Sequence, residues 1–333
     1  MARKKTNPDV TPEKKEEVKL PLLEYKVLNS NSKNTAIHTL MVQVKNKKLN
    51  LFHAVQRRSE QWDLQKKSKF LNSLITGIIS PEIVICEMNG EKFVCDGKQR
   101  LSCLDEFINK KDTKLTVFGR KFDELDENTK EALTGSNINV VTYSDCTDED
   151  VFSIFERMNN GVSLSGPQKS KSYASITILE KINKILDTPF FTEKSNITKG
   201  QKLKDEDFNV VIQSCILVSG WDFKNFSSKE VDRFLQENDE QTIMNTLEVI
   251  KNNVDLLDSI ITEKHKNLKK IHLPMIISTV NDSPEYKDKL LNFLNDYDNQ
   301  TEYRQYCQGS TSQKENVIGR LNFWKSNWFT NYW

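Results

Sequence analysis

No stretch of the chain reaches the ~18 consecutive apolar residues that a membrane-crossing helix needs, and no basic segment leads into an apolar one near its start. Neither a membrane span nor secretion is expected, and the chain reads as cytoplasmic. Cysteine is sparse and unpatterned. Cys86, Cys95, Cys103, Cys146, Cys215 and Cys307 include no C-x-x-C pair, and His38, His53, His265 and His272 fall at no ligand spacing with them. That argues for reduced thiols and against a structural zinc. A dominant charge is missing too: 48 Lys and Arg face 47 Asp and Glu.

What charge there is segregates. Residues 45–70 hold eight Lys/Arg against Glu60 and Asp63, whereas residues 122–150 hold nine acids against Lys130 alone. One face suits phosphates and another repels them, although Lys47, Lys48, Lys66 and Lys67 taken singly are ordinary solvated side chains. A length of 333 residues suits two domains. Residues 1–20 are Lys-, Glu-, Thr- and Pro-rich with almost nothing apolar, which cannot offset the entropy of ordering. The expected division is a disordered or extended arm over 1–34, an α/β domain over 35–165 and an all-helical domain over 166–333.

The chain is organised around Phe93 to Leu104. Ile83-Val84-Ile85-Cys86 is apolar and β-branched, and Asn89-Gly90 follows, the strongest short-range hairpin signal. Residues 82–88 and 91–96 should pair, with Met88 opposite Glu91, Cys86 opposite Phe93 and Val84 opposite Cys95. Both faces are then apolar away from the tip, so the hairpin is buried. After Asp96 the period changes, with Leu101, Leu104, Phe107 and Ile108 at helical spacing. The result is a strand, an Asp-Gly turn and a helix.

Such a turn aims the free N–H groups of a helix start at one point, where the helix dipole attracts an anion. Gly97 permits close approach or positive φ, Lys98 and Arg100 supply positive charge, and the Asp96 carboxylate suits Mg²⁺. The alternative is that Asp96 caps the helix and the polar residues form its solvated first turn.

Around this centre, Ile37, Leu40, Met41 and Val44 mark a short helix. Leu49 to Phe52 reads as a strand leading into the polar loop His53–Trp62, and Asp63 caps a helix through Thr76 with Phe70, Leu71, Leu74 and Ile75 inward. Residues 115–122 read as a hairpin, 126–134 as a helix and 138–143 as a strand. Thr147 caps a helix over 148–160 that ends in the polar cluster Arg157, Asn159 and Asn160. Gly161 stops that helix, and Ser165 with Pro167 starts the next. From there only helices are expected, over about 166–187, 205–219, 228–236, 240–263, 271–280, 284–297 and 312–327.

A Gln-Arg loop ending in Trp, a helix, a hairpin, Asp96-Gly97-Lys98-Gln99-Arg100-Leu101-Ser102 and later Phe155-Glu156-Arg157-Met158-Asn159-Asn160-Gly161 follow in an order that resembles the N-terminal domain of GmrSD-type restriction endonucleases. The resemblance spans about residues 35–175 and implies a ParB/sulfiredoxin-like fold. It implies that Gln56 and Arg57 are the family's first Gln-Arg pair, that Asp96, Gly97, Gln99 and Arg100 belong to its Asp-Gly-Gln-Gln-Arg motif, and that Arg157 with Asn159 is its third element. Nucleotide binding and hydrolysis, and cleavage of modified or phage-related DNA, come with that family. Lys98 departs from the pattern, standing where glutamine is common, and adds charge at the phosphate site. The family's His-Asn-His nuclease domain has no counterpart here. Ile271-His272-Leu273-Pro274 only echoes its start, and His272 reads as a buried helix-start histidine.

These features assign catalytic roles to Asp96, Gln99 and Arg100, with Gln99 orienting a water as in some GTPases. Gln56, Arg57, Gly97, Lys98, Arg157 and Asn159 are assigned to cofactor binding and Asp96 to metal. The implied cofactors are Mg²⁺ and a nucleoside triphosphate; the implied partners are DNA, a separate nuclease subunit and a second copy of the chain. Three functions fit: an NTP-hydrolysing protein that acts on or regulates DNA cleavage, a metal-dependent nickase using the same carboxylate, and a non-enzymatic module switched by nucleotide.

Overall fold

The computed structural model describes residues 27–53, 62–110, 113–158 and 165–325. At its centre is a four-stranded sheet of order β1-β4-β2-β3. Strands β2 (Ile83–Met88) and β3 (Glu91–Asp96) form the expected hairpin, turned by Asn89 (φ 53°) and Gly90 (φ 80°). Met88 pairs with Glu91 and Cys86 with Phe93. The expected pairing of Val84 with Cys95 does not form: a bulge between Val84 and Ile85 moves the register, so that Val84 faces Asp96. Strand β4 (Asn137–Ser144) runs parallel to β2 and antiparallel to β1 (Asn29–Ala36).

Most of strand β1 falls within the stretch expected to be a disordered or extended arm, over 1–34. Its sequence, Asn-Ser-Asn-Ser-Lys-Asn-Thr-Ala, offers no apolar alternation because it lies at an edge and is almost wholly exposed. Backbone pairing holds it, with Ser32 Oγ donating to Asn139 Oδ1 at 2.8 Å. The strand expected at 49–52 reduces to one parallel bridge between Asn50 and Phe93, and the hairpin expected at 115–122 to a bridge between Val117 and Arg120.

The sheet is covered on both faces. Ile83, Ile85 and Val94 pack with Ile37, Leu40 and Met41 of α1 (Ile37–Lys45), Leu71 and Leu74 of α2 (Leu64–Ile75), Leu101, Leu104 and Phe107 of α3 (Lys98–Asn109) and Leu133 of α4 (Glu127–Gly135). Asp63 accepts from the Lys66 N–H at 2.8 Å, the expected cap of α2. On the other face Val84, Cys86, Phe93 and Cys95 meet Val151 and Ile154 of α5 (Asp148–Met158) and the helices that follow. Cys86 and Cys95 are joined there as a disulfide, with Cα atoms 6.2 Å apart. This corrects the expectation of reduced thiols for that pair: both side chains lie on one face of adjacent strands, where disulfide spacing is met.

The following region comprises α6 (Gly166–Ser170), α7 (Ile176–Leu186), α8 (Lys199–Leu203), α9 (Glu206–Ser219), α10 (Ser228–Glu237), α11 (Glu240–Ile260), α12 (Leu273–Thr279), α13 (Pro284–Asn295), α14 (Thr301–Arg304) and α15 (Lys314–Lys325). Ser175 splits the single helix expected over 166–187, because its Oγ accepts from the Ile178 N–H and caps a new start. Helix α9 is buried along most of its length, and Phe293, Tyr303 and Trp324 fill the far end of the core. That core is continuous with the sheet's second face. A buried ion pair, Lys171 to Asp205 at 3.1 Å, fastens α6 and the turn after it to the start of α9. Among the described residues, the molecule is mixed α and β with a helical second part, and no helix is long and apolar enough to cross a membrane.

Candidate functional site

The bulge leaves Asp96 as the last paired residue of β3, and the chain turns directly into α3. Gly97 makes the turn with φ 93°. A Cβ there would sit 2.2 Å from Ile83 Cδ1 and 3.2 Å from Arg100 Nη2, so both conformation and space demand glycine. Of the two reasons expected for glycine here, close approach or positive φ, the positive φ is observed, and the room beside its Cα is taken by Ile83 and Arg100.

Arg100 sits one turn into α3 and is 8% exposed. Its Nη2 donates to Asp96 Oδ2 at 2.7 Å, and its Nη1 donates to the carbonyl oxygen of Pro81, just before β2. The guanidinium thus ties the start of β2 to the end of β3. Burial pushes its pKa below the ordinary value, with Asp96 and then Glu82 acting in the opposite direction. The Asp96 side chain stays 42% exposed, so one member of the pair faces solvent while the other is spent on holding it. Arg100, expected to take a catalytic role with its positive charge, holds the Asp96 carboxylate and the Pro81 carbonyl in this structure.

Lys98 and Gln99 are half-buried in the first turn of α3. Lys98 Nζ lies 4.7 Å from the centre of the Phe52 ring. Phe52 belongs to the segment that runs beside β3: the Asn50 N–H donates to the Lys92 carbonyl at 2.8 Å and the Val94 N–H to the Asn50 carbonyl at 3.0 Å. Phe52 thus lies beside both β3 and Lys98. Gln56, Arg57 and Asn159 lie outside the described residues. Arg157 is exposed in the last turn of α5 and, among the described residues, has no hydrogen bond or ion pair with Asp96, Lys98, Gln99 or Arg100.

Sequence reasoning missed the parts that hold the corner together. Nothing in the sequence links the Pro81 carbonyl to an arginine 19 residues on, and Ile83 was read only as core. His53 was read as the start of a polar loop. It stacks on Phe93 with ring centres 3.9 Å apart and planes 17° apart, and burial lowers its pKa to about 4, so it is neutral near pH 7. With Asn50 and Phe52 it lines a cavity of about 410 Å³ closed on the other side by Glu180, Asn183 and Lys184 of α7. The Phe93 and His53 rings form the floor of a crevice between the segment beside β3 and the helical region.

Among the described residues no group of three or more His, Cys, Asp or Glu stands ready for a metal. Asp96, with one oxygen on Arg100, fits an ion that arrives coordinated to phosphate oxygens and water, which Mg²⁺ accepts. It does not fit a resident ion in an all-protein cage.

Comparison with curated proteins returns no match. The family model described as GmrSD restriction endonuclease, N-terminal domain, matches residues 37–175, a span that includes the Asp96–Arg100 corner and the C-terminal turn of α5. Over residues 37–175 the chain is thus similar to the N-terminal domain of GmrSD restriction endonucleases.

Proposed function

We propose that this protein acts in restriction-type cleavage of DNA, in conflict between bacteria and phage, and that its corner at Asp96–Arg100 binds and hydrolyses a nucleoside triphosphate with Mg²⁺. One observation carries the reading within the family span: a half-exposed carboxylate and a lysine stand on either side of a left-handed glycine at a helix start, beside the segment that leads to Gln56 and Arg57. Lys98 and the first-turn amides of α3 face the phosphates. Asp96 would hold a Mg²⁺ ion bound with the nucleotide, and the ion would neutralise charge on the phosphate oxygens. Arg100 fixes the Asp96 carboxylate, and Gln99 orients the attacking water. Gln56, Arg57, Arg157 and Asn159 complete the ligand set on the strength of family resemblance, as does the ParB/sulfiredoxin-like fold. DNA, a separate nuclease subunit and a second copy of the chain are the partners this role calls for.

The test is Mg²⁺-dependent release of phosphate from each nucleoside triphosphate by the full chain. Release lost in Asp96→Ala, with nucleotide binding weakened in Lys98→Ala, is the expected result. Relaxation of supercoiled plasmid without phosphate release would replace it with a nickase acting at the same carboxylate. A nucleotide-dependent rise in melting temperature with neither activity would replace it with a non-catalytic switch.

A further inference from the structure

Arg320 of α15 is 2% exposed. Its Nη1 donates to the Tyr306 carbonyl at 2.6 Å and its Nη2 to the Thr311 carbonyl at 2.7 Å, while Nε has no hydrogen-bond partner. Among the described residues it forms no ion pair, and the ionisable groups acting most strongly on it are Tyr303, Cys307 and Tyr297. His272 and Lys269 add no negative charge: Arg320 and Lys269 both act to lower the His272 pKa. A fully buried cation answered only by carbonyl dipoles is costly unless a counter-charge reaches it.

Beside it lies a cavity of about 300 Å³ lined by Asn209, Gln213, Ser228, Lys270, Thr311 and Arg320. Asn209 is 5% exposed; its Nδ2 lies 3.3 Å from Ser228 Oγ and its Oδ1 has no partner. Ser227 and Ser228 line the cavity where α10 begins, and Ser227 makes no side-chain cap on that helix. The start of a ten-residue helix, with its positive dipole end and no side-chain cap, thus stands at the wall, although its Glu230 N–H already donates to the Ser227 carbonyl at 3.1 Å. Ser228 lies close against Gly166, where an added Cβ would sit 2.4 Å from its Oγ. Glu206, the one carboxylate of the lining, is engaged by Lys270 at 3.0 Å.

We propose that this cavity is a binding site for a phosphate group, which supplies the counter-charge that Arg320 lacks and accepts hydrogen bonds from Ser228, Lys270 and the start of α10. The cavity is at the small end of ligand sites and takes a phosphomonoester dianion. The group belongs either to a free phosphate compound or to the 5′ end of a DNA strand. The site is separate from the Asp96–Arg100 corner and stands whether or not that corner hydrolyses nucleotides.

The experiment is thermal melting of the full chain with increasing inorganic phosphate, against chloride at equal ionic strength. A saturable rise is expected. Asn209→Asp, which puts a negative charge in the cavity at nearly constant volume, should lower phosphate affinity at least about tenfold. Lys270→Gln, at a residue exposed enough to change without unfolding the chain, should lower it about threefold. Lys199→Ala, at an exposed residue outside the cavity, should leave it as in the wild type. Competition by a 5′-phosphorylated oligonucleotide and not by its 5′-hydroxyl form assigns the group to a DNA end; no competition assigns it to a free phosphate. Absence of a saturable rise, wild-type affinity in both Asn209→Asp and Lys270→Gln, or loss only in Lys199→Ala overturns the proposal.

Discussion

Among the described residues each part of the molecule buries one arginine, and the two are treated in opposite ways. Arg100 in α3 has a carboxylate 2.7 Å away and a proline carbonyl on its other side, so its charge is answered within the corner it builds. Arg320 in α15 lies deeper and, among the described residues, has carbonyls only. A cation that is internally paired holds geometry, and what it offers a ligand is the partner it fixes in place. A cation answered only by dipoles keeps net attraction for an anion. The difference separates a positioning role in the sheet region from a binding role in the helical one.

The strongest way to break this comparison is at the glycine of the first corner. Gly97→Ala meets both a left-handed φ and Ile83 Cδ1 at 2.2 Å, and should cost about 3 kcal/mol or more, the sum of backbone strain and overpacking. Adding Ile83→Val removes the colliding methyl and should recover part of the loss in urea unfolding. Gly220, at the end of α9, has φ 69° but nothing within 4 Å of the added carbon. Gly220→Ala should therefore cost only about 1 kcal/mol. Equal costs at both positions would mean that crowding does not define the corner.

Next in size is the ion pair. Asp96→Ala leaves Arg100 buried without its carboxylate and should cost about 1–2 kcal/mol, discounted because the Asp96 side chain is 42% exposed. In an Arg100→Met background the same change should cost almost nothing, which a double-mutant cycle reads directly. A full cost in both backgrounds would remove the positioning role.

The pH dependence sharpens the comparison from both sides. Burial lowers His53 to about 4 in the first region and His272 to about 3 in the second, where Arg320 and Lys269 add to the effect. Unfolded histidine titrates near 6.5. As pH falls below that value the unfolded chain takes up protons that the folded chain refuses, so stability drops, down to about pH 4 for His53 and pH 3 for His272. Between pH 7 and 5.5 each should contribute a loss of about 1 kcal/mol. His53→Gln and His272→Gln should each flatten that slope by its share in denaturant titrations. The smallest effects should come from helix caps: Asp63→Ala and Ser283→Ala, one in each region, should each cost about 0.5–1 kcal/mol.

How much of this was legible depended on where the information resides. The hairpin was readable because Asn89-Gly90 and the flanking alternation are local, and its register was right at Met88 and Cys86. The bulge at Val84 has no local signature and moved the last pair, although the expected facing of Cys86 and Phe93 already put Cys95 on the same face, one step from a disulfide. Strand β1 was invisible because an exposed edge needs no apolar residues. At the corner, Asp-Gly announced a turn, but whether the space beside Gly97 serves a ligand or Ile83 depends on a residue 14 positions earlier. The difference between Arg100 and Arg320 lies wholly in tertiary surroundings. Nothing in the residues flanking Arg320 marks it as unpaired.

The pairing of β1 with β4 also bears on how the protein is made. Ser32 and Asn139, which bond across that pair, are 107 residues apart in sequence. A chain emerging from the ribosome at ~5–20 residues per second carries β1 unpartnered for several seconds before β4 appears. The β2–β3 hairpin can close meanwhile. An apolar first strand would spend that interval as an invitation to neighbouring nascent chains. Asn, Ser and Lys let it wait in water, and the sheet's last edge is added only when its partner has been synthesised.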